Sequence, residues 1–243
     1  PVYPPGTPKR DFLHHYKERF GVCELNFTYY RLPAARTMEG ILRKSEGEVA
    51  FSVKASSELT HERTDPAPAA DAFRQGVAPL AAAGKLGCVL AQFPYSFHHG
   101  PGPRGYIERL IAALDPLPVV VEFRARDWIR PETFDWLRAA GAGFCCVDEP
   151  GLKGLIPPME EVTSGVGYVR FHGRNARKWW KHDHAWERYD YLYSRDELAE
   201  WVPRIRRMHA KADKVFVFAN NHYQGKAVTN AEQLVQLLRE EEA

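Results

Sequence analysis

A chain of 243 residues that is 44% hydrophobic and 26% charged can bury one large core, and its balance is that of an ordinary globular protein. The formal net charge of +2 singles out no partner. No apolar run approaches the ~20 residues that span a bilayer, so no membrane partner is expected.

Read from the N-terminus, the chain starts on Pro1 rather than Met, and no signal peptide is legible, so residues of the natural protein are expected to precede it. Thr7 and Pro8 predict a helix start. Phe12, Leu13, Tyr16 and Phe20 then form a stripe that ends at Gly21. Strand candidates follow at 22–26 (VCELN), 49–54 (VAFSVK), 86–92 (LGCVLAQ), 119–124 (VVVEFR), 144–148 (FCCVD), 168–172 (YVRFH) and 215–220 (VFVFAN). Amphipathic helical stretches separate them. Pro79 and Pro203 are expected to start or kink helices, and Pro131 opens one that closes at Gly141. Ser194 with Glu197, and Asn230 with Gln233, have capping-box spacing. Strands alternating with helices predict βαβ units, and no linker divides them, so a single domain over 1–243 is expected. The fold class expected is α/β, a TIM-type (β/α)8 barrel lacking its first strand, which would precede Pro1. An open doubly wound sheet is the competing architecture.

Residues two apart in a strand share a face. Counting back from the strand ends puts Glu24 with Asn26, Ser52 with Lys54, Leu90 with Gln92 and Glu122 with Arg124 on one face. The same count gives Cys146 with Asp148, Arg170 with His172 and Phe218 with Asn220. Each strand thus finishes on a polar side chain, at the end where barrels build their sites. Two readings compete: a functional pocket, or a structural network in which Glu24, Glu122 and Asp148 neutralise Lys54, Arg124 and Arg170.

The loop after 168–172 offers Gly173, Arg174, Arg177 and Lys178, and the last strand is followed by Asn221, Gly225 and Lys226, a basic setting suited to an anion. His172, His182, Asp183 and His184 raise a metal site as an alternative, but no dense signature such as HExxH is present, so no cofactor is expected. Trp179, Trp180, Trp186, Tyr189, Tyr191 and Tyr193 form either a cover over the barrel mouth or a stacking surface for bases or sugars. Cys23, Cys88, Cys145 and Cys146 read as reduced core thiols of a cytoplasmic protein.

ELNFTYYRLP (24–33), FSVKASSELTHER (51–63), KLGCVLAQFPYSF (85–97), VEFRARDW (121–128), YVRFHGR (168–174), YDYLYSRDELAEW (189–201) and VFVFANNHYQGKAVTNA (215–231) together resemble the YecE-like family, domain of unknown function 72. The resemblance covers nearly the whole chain and implies a TIM-type barrel. It marks Glu24, Asn26, Thr28, Tyr30, Lys54, Thr60, His61, Gln92, Pro94, Glu122, Arg124, Trp128, Asp148, Arg170, His172, Gly173, Asn220 and Asn221 as the family's strand-end positions. Ala219 departs from it, standing where a larger residue is usual. The family supplies no reaction.

The leading expectation is an enzyme, a hydrolase or lyase, acting on a small anionic ligand that is phosphorylated or sugar-like. Arg170, Arg124 and Lys54 would clamp the anion, with Arg174 beside them. Glu24 or Glu122 would be the base, His172 would return the proton, and Asp148 completes the candidate catalytic set. Asn26, Tyr30, His61, Gln92, Trp128, Gly173, Asn220 and Asn221 would contact substrate. The alternatives are a Schiff base on Lys54, which nearby acids would disfavour, metal-assisted phosphoester or nucleic-acid cleavage, and a non-enzymatic nucleic-acid binder.

Overall fold

The computed structural model describes residues 3–240. Its strands are β1 (Val22–Leu25), β2 (Ala50–Lys54), β3 (Leu86–Gln92), β4 (Val119–Glu122), β5 (Gly143–Asp148), β6 (Val166–Phe171) and β7 (Lys214–Ala219). They form one sheet in which every pair is parallel and the spatial order equals the chain order. A doubly wound sheet reverses its order at a switch point, so that architecture is excluded. Glu24 on β1 reaches Tyr168 and Arg170 on β6, which curls the sheet into a nearly closed barrel. β1 and β7 are its edges and do not pair with each other. Between them lies an apolar crevice of about 260 Å³, lined by Val22, Phe171, Val217, Ala219, Leu234 and Leu238. The arrangement is a TIM-type barrel short of one strand.

The helices are α1 (Phe12–Lys17), α2 (Ala35–Ser45), α3 (Pro66–Ala82), α4 (Pro101–Leu114), α5 (Pro131–Ala139), α6 (Ala176–Trp179), α7 (Arg195–Ala199), α8 (Val202–His209) and α9 (Lys226–Glu240). The box predicted at Ser194 and Glu197 caps α7. Three local expectations are corrected. Thr7 Oγ1 donates to the Pro4 carbonyl instead of capping a helix. Pro79 lies inside α3, which continues past it to Ala82. Asn230 is not a cap: α9 already begins at Lys226, and Asn230 is buried, accepting from Tyr193 N–H (3.0 Å) and donating to Tyr193 O (2.9 Å).

Inside the barrel the fill is polar above and aromatic below. Ser52 Oγ and Tyr168 OH lie 2.7 Å apart, and Phe216 crosses the floor. Gly87 is required there, because a Cβ would come within 2.5 Å of the Phe216 ring. Outside β3 and β4, Phe123 and Trp128 stack at 4.3 Å between ring centroids, and burial contributes ~1.5–3 kcal/mol for each such side chain. Cys88, Cys145 and Cys146 are buried free thiols, while Cys23 is half-buried. Among the described residues, no helix is long and apolar enough to cross a membrane.

Candidate functional site

Parallel pairing keeps partners on a common face, so register alone gathers a ring of inward side chains at the C-terminal mouth. Gln92 pairs with Glu122, and Lys54 pairs with Leu90 two residues before Gln92. Glu24, Asn26, Lys54, Gln92, Glu122, Arg124, Arg170, His172 and Asn220 converge there, as their spacing predicted.

Glu122 is the hub. Its Oε1 forms an ion pair with Arg124 Nε at 2.8 Å and accepts from His172 Nε2 at 3.1 Å, and its Oε2 accepts from Arg170 Nη1 at 2.7 Å. Although desolvation pulls the other way, these donors hold the Glu122 carboxyl well below the usual carboxylate range. Arg170 gives Nη2 to Glu24 Oε1 at 2.6 Å, while Glu24 also accepts from Asn26 (2.9 Å) and Tyr168 OH (2.7 Å). The Arg170 Nε is buried without a hydrogen-bond partner. His172 is fully buried, donates Nε2–H to Glu122 and accepts at Nδ1 from Asn220 Nδ2 at 3.1 Å. Burial pushes its pKa down to about 3, so the ring is neutral. Both of its nitrogens are engaged, which argues against its passing a proton to a ligand.

Lys54 differs from the other mouth cations. Its Nζ donates to Gln92 Oε1 at 2.8 Å and sits 4.7 Å from the centroid of the Tyr29 ring. None of the ion pairs among the described residues includes it. Desolvation, followed by repulsion from Arg170, brings its pKa down to about 8, and the attraction of Glu122 and Glu24 does not offset this. The nearby acids do favour the charged amine, as expected, but burial and Arg170 outweigh them, and the amine stays mostly protonated at neutral pH.

β5 breaks the strand-end pattern. Cys145 pairs with inward-facing Tyr168, which puts Cys145 and Val147 inside and Asp148 outside. Asp148 accepts from Arg174 Nε (2.9 Å), Arg174 Nη2 (2.8 Å), Tyr193 OH (2.7 Å) and Trp201 Nε1 (2.7 Å), all on the helix side. Its neighbour Glu149 takes the mouth position, accepting from Arg124 Nη1 at 3.3 Å and from Ile156 N–H at 2.9 Å. Burial lifts the Glu149 carboxyl to about 7 against the pull of Arg124. Counting back from Asp148 missed it because Glu149 lies one residue past the strand.

Four further candidates lie away from the mouth or are held by the scaffold. Trp128 is fully buried and donates Nε1–H to Phe97 O at 2.7 Å. Arg174 pairs with Asp148, Glu197 and Glu200. Gly173, at φ 91°, donates N–H to Tyr193 OH, and a Cβ there would press on Tyr191 at 2.7 Å. Asn221 is buried, donating to Tyr191 O and Asn230 Oδ1, each at 2.8 Å. The loop cations Lys178 and Lys226 are likewise paired, with Glu187 and Asp190. Among the described residues, no three of His, Cys, Asp and Glu converge as a metal set.

The mouth divides into two adjoining compartments. A polar well of about 350 Å³ is lined by Asn26, Arg170, Asn220 and His222, and an aromatic cleft of about 310 Å³ by His61, Tyr95, Trp179, Trp180 and Arg188. Tyr29, Tyr30, Lys54, Gln92, Arg124 and Tyr189 line both. A π-helical turn at Glu58–Glu62 presents His61, whose pKa burial lowers to about 4. Tyr29, Tyr95 and Arg188 escaped the sequence reading because they lie in single 3-10 turns or a loop, too short to show a periodicity.

Known proteins resemble this chain along its length. The UPF0759 protein YunF of Bacillus subtilis (strain 168) is 30% identical over 253 residues, 98% of this chain and 90% of the relative. The crystal structure of a DUF72 family protein from Thermotoga maritima MSB8 is 38% identical and superposes with a TM-score of 0.90 over 98% of this chain and 93% of that one. One from Enterococcus faecalis V583 is 26% identical, with a TM-score of 0.86 over 93% and 88%. The family model described as protein of unknown function DUF72 matches residues 1–243, and the chain belongs to that family.

Proposed function

We propose that the barrel mouth is the site of an enzyme acting on a small anionic ligand, with Lys54 as the group that meets the anion and carries the proton. One observation carries this reading: Lys54 enters both compartments as an ammonium whose hydrogen-bond acceptor is the neutral amide of Gln92. Arg124 lends a second charge at the rim, and Arg170 a third from behind it. An amine with a pKa of about 8 binds anions when protonated and exchanges its proton near neutrality. Hydrolysis and elimination both call for such a carrier beside a held charge. Glu24, Glu122 and His172 then serve as the scaffold that positions Arg124 and Arg170, and Asp148 braces the helix layer.

Titration calorimetry with inorganic phosphate and sulfate tests the reading on the intact protein and on Lys54→Met. Loss of a charge-assisted contact lowers affinity at least about tenfold. Equal binding by both proteins refutes it.

The lowered pKa also supports a second reading, in which neutral Lys54 Nζ attacks a ligand carbonyl and expels water to form a Schiff base. Borohydride would reduce that imine to a stable adduct on Lys54. Metal-assisted cleavage and nucleic-acid binding have less behind them, given that no ligand set converges among the described residues and that Arg174 and Lys178 are paired.

A further inference from the structure

The aromatic cleft shares Lys54 and Arg124 with the polar well, and beyond them its wall is largely aromatic. We propose that the ligand is an anion bearing a flat aromatic ring, with its charged group at Lys54 and Arg124 and its ring in the cleft beside Tyr30, Tyr95 and Trp180. This rests on the anion reading above and narrows it to a substrate class.

Exposure points to the ring. Tyr30 is 85% exposed, Trp180 49% and Tyr95 37%, while Tyr168, Tyr193, Trp128 and Trp201 are fully buried. Large aromatic faces left in water beside a pocket are surface that a ligand can cover. Tyr95 and Trp180 meet at 4.9 Å and 65°, and Tyr29 and Tyr30 at 5.1 Å and 86°. A perpendicular pair leaves ring faces open for a stacking partner.

The polar inventory separates a flat ring from a sugar. No carboxylate lines the cleft, and its one amide is already engaged at both atoms: Gln92 accepts from Lys54 and gives one of its two N–H groups to Phe93 O at 2.7 Å. Arg188 gives Nε–H to Trp179 O at 3.0 Å. Sugar hydroxyls would meet mainly donors there and no carboxylate to accept from them, whereas Asn26 and Asn220, whose amides both give and accept, line the other compartment. Lys54, Arg124 and Arg188 also favour an electron-rich ring over a cationic one. A cleft of about 310 Å³ is large enough for a single ring system.

Calorimetry with three probes tests this: inorganic phosphate, phenyl phosphate and glucose 6-phosphate. Stacking on exposed aromatics makes phenyl phosphate bind about tenfold or more tighter than inorganic phosphate. Trp180→Ala brings that ratio close to one, and Trp180→Phe keeps most of it. Inorganic phosphate binding with no preference for the phenyl ester overturns this inference alone. So does tighter binding of glucose 6-phosphate, or a preference that survives Trp180→Ala. No binding of any probe overturns the anion reading as well.

Discussion

Lys54 Nζ lies 2.8 Å from Gln92 Oε1, so a cation shared by both compartments of the mouth is hydrogen-bonded to a group that cannot neutralise it. Every other charge in the ring has an opposite charge in contact. The mouth therefore keeps an unbalanced positive centre between its two compartments, at the cost of holding a desolvated ammonium beside two guanidinium groups.

That cost sets a pH dependence. Lys54 is charged below about 8, so anion affinity holds at neutral pH and falls as pH rises through about 8. Calorimetry with sulfate on the Glu149→Gln variant between about pH 6 and 10 should trace the loss without the Glu149 titration superposed on it. A lysine pKa depressed by folding destabilises the folded state most where the amine is protonated, and the penalty disappears as pH rises through the ordinary lysine range. Lys54→Met should therefore raise the urea midpoint at pH 7, by about 1–2 kcal/mol in stability, while weakening anion binding at least about tenfold.

Glu122→Gln should cost stability rather than only activity. The carboxylate joins Arg124, Arg170 and His172 at zero exposure, and an amide can accept from them at only one atom. Breaking one partner out of a buried charge network costs about 3–5 kcal/mol, to be read from urea denaturation. Retention of the parent midpoint would count against the scaffold role and return Glu122 to the chemistry.

Glu149 has the opposite linkage to Lys54. Its folded-state pKa of about 7 lies above the ordinary glutamate value, so its protonation favours folding. The stability it contributes is complete below the unfolded pKa and disappears as pH rises through about 7. Glu149→Gln should flatten this slope, and the wild-type minus variant difference should approach about 3 kcal/mol across the window.

Asp148→Ala should lower stability by about 3–5 kcal/mol, because it strips four donors from one buried carboxylate. Phosphate affinity is the control: Asp148 faces α7 and α8, so the mouth keeps its charge.

The barrel was legible because strand and helix periods differ and because caps and prolines punctuate them; β1 to β7 fall within about a residue or two of the runs read from sequence. The mouth was legible for a narrower reason. A two-residue period places side chains correctly only when the strand's last residue is known. That held for Glu24, Lys54, Gln92, Glu122, Arg170 and Asn220. It failed at β5, where an acidic pair, Asp148 and Glu149, straddles the strand end and either could be the inward one. Roles were less legible than places. Spacing shows that Glu122 and His172 meet, but not that every lone pair and proton between them is already spent. The aromatic cleft was legible in part, since Trp179, Trp180 and Tyr189 read as a cover or a stacking surface, but Tyr29 and Tyr95 join them from segments distant in sequence, which no periodicity relates.

The edges β1 and β7 exchange no backbone bonds, whereas the carboxylate of Glu24 spans from β1 to Arg170 and Tyr168 on β6. Elsewhere the circumference is fixed by repeating amide-to-carbonyl ladders, which tolerate almost any side chain. At this seam it is fixed by one acid and its two donors. The width of the opening, and with it the distance from Asn26 on one lip to Asn220 on the other, is thus set by three side chains, of which Arg170 also lines the polar well.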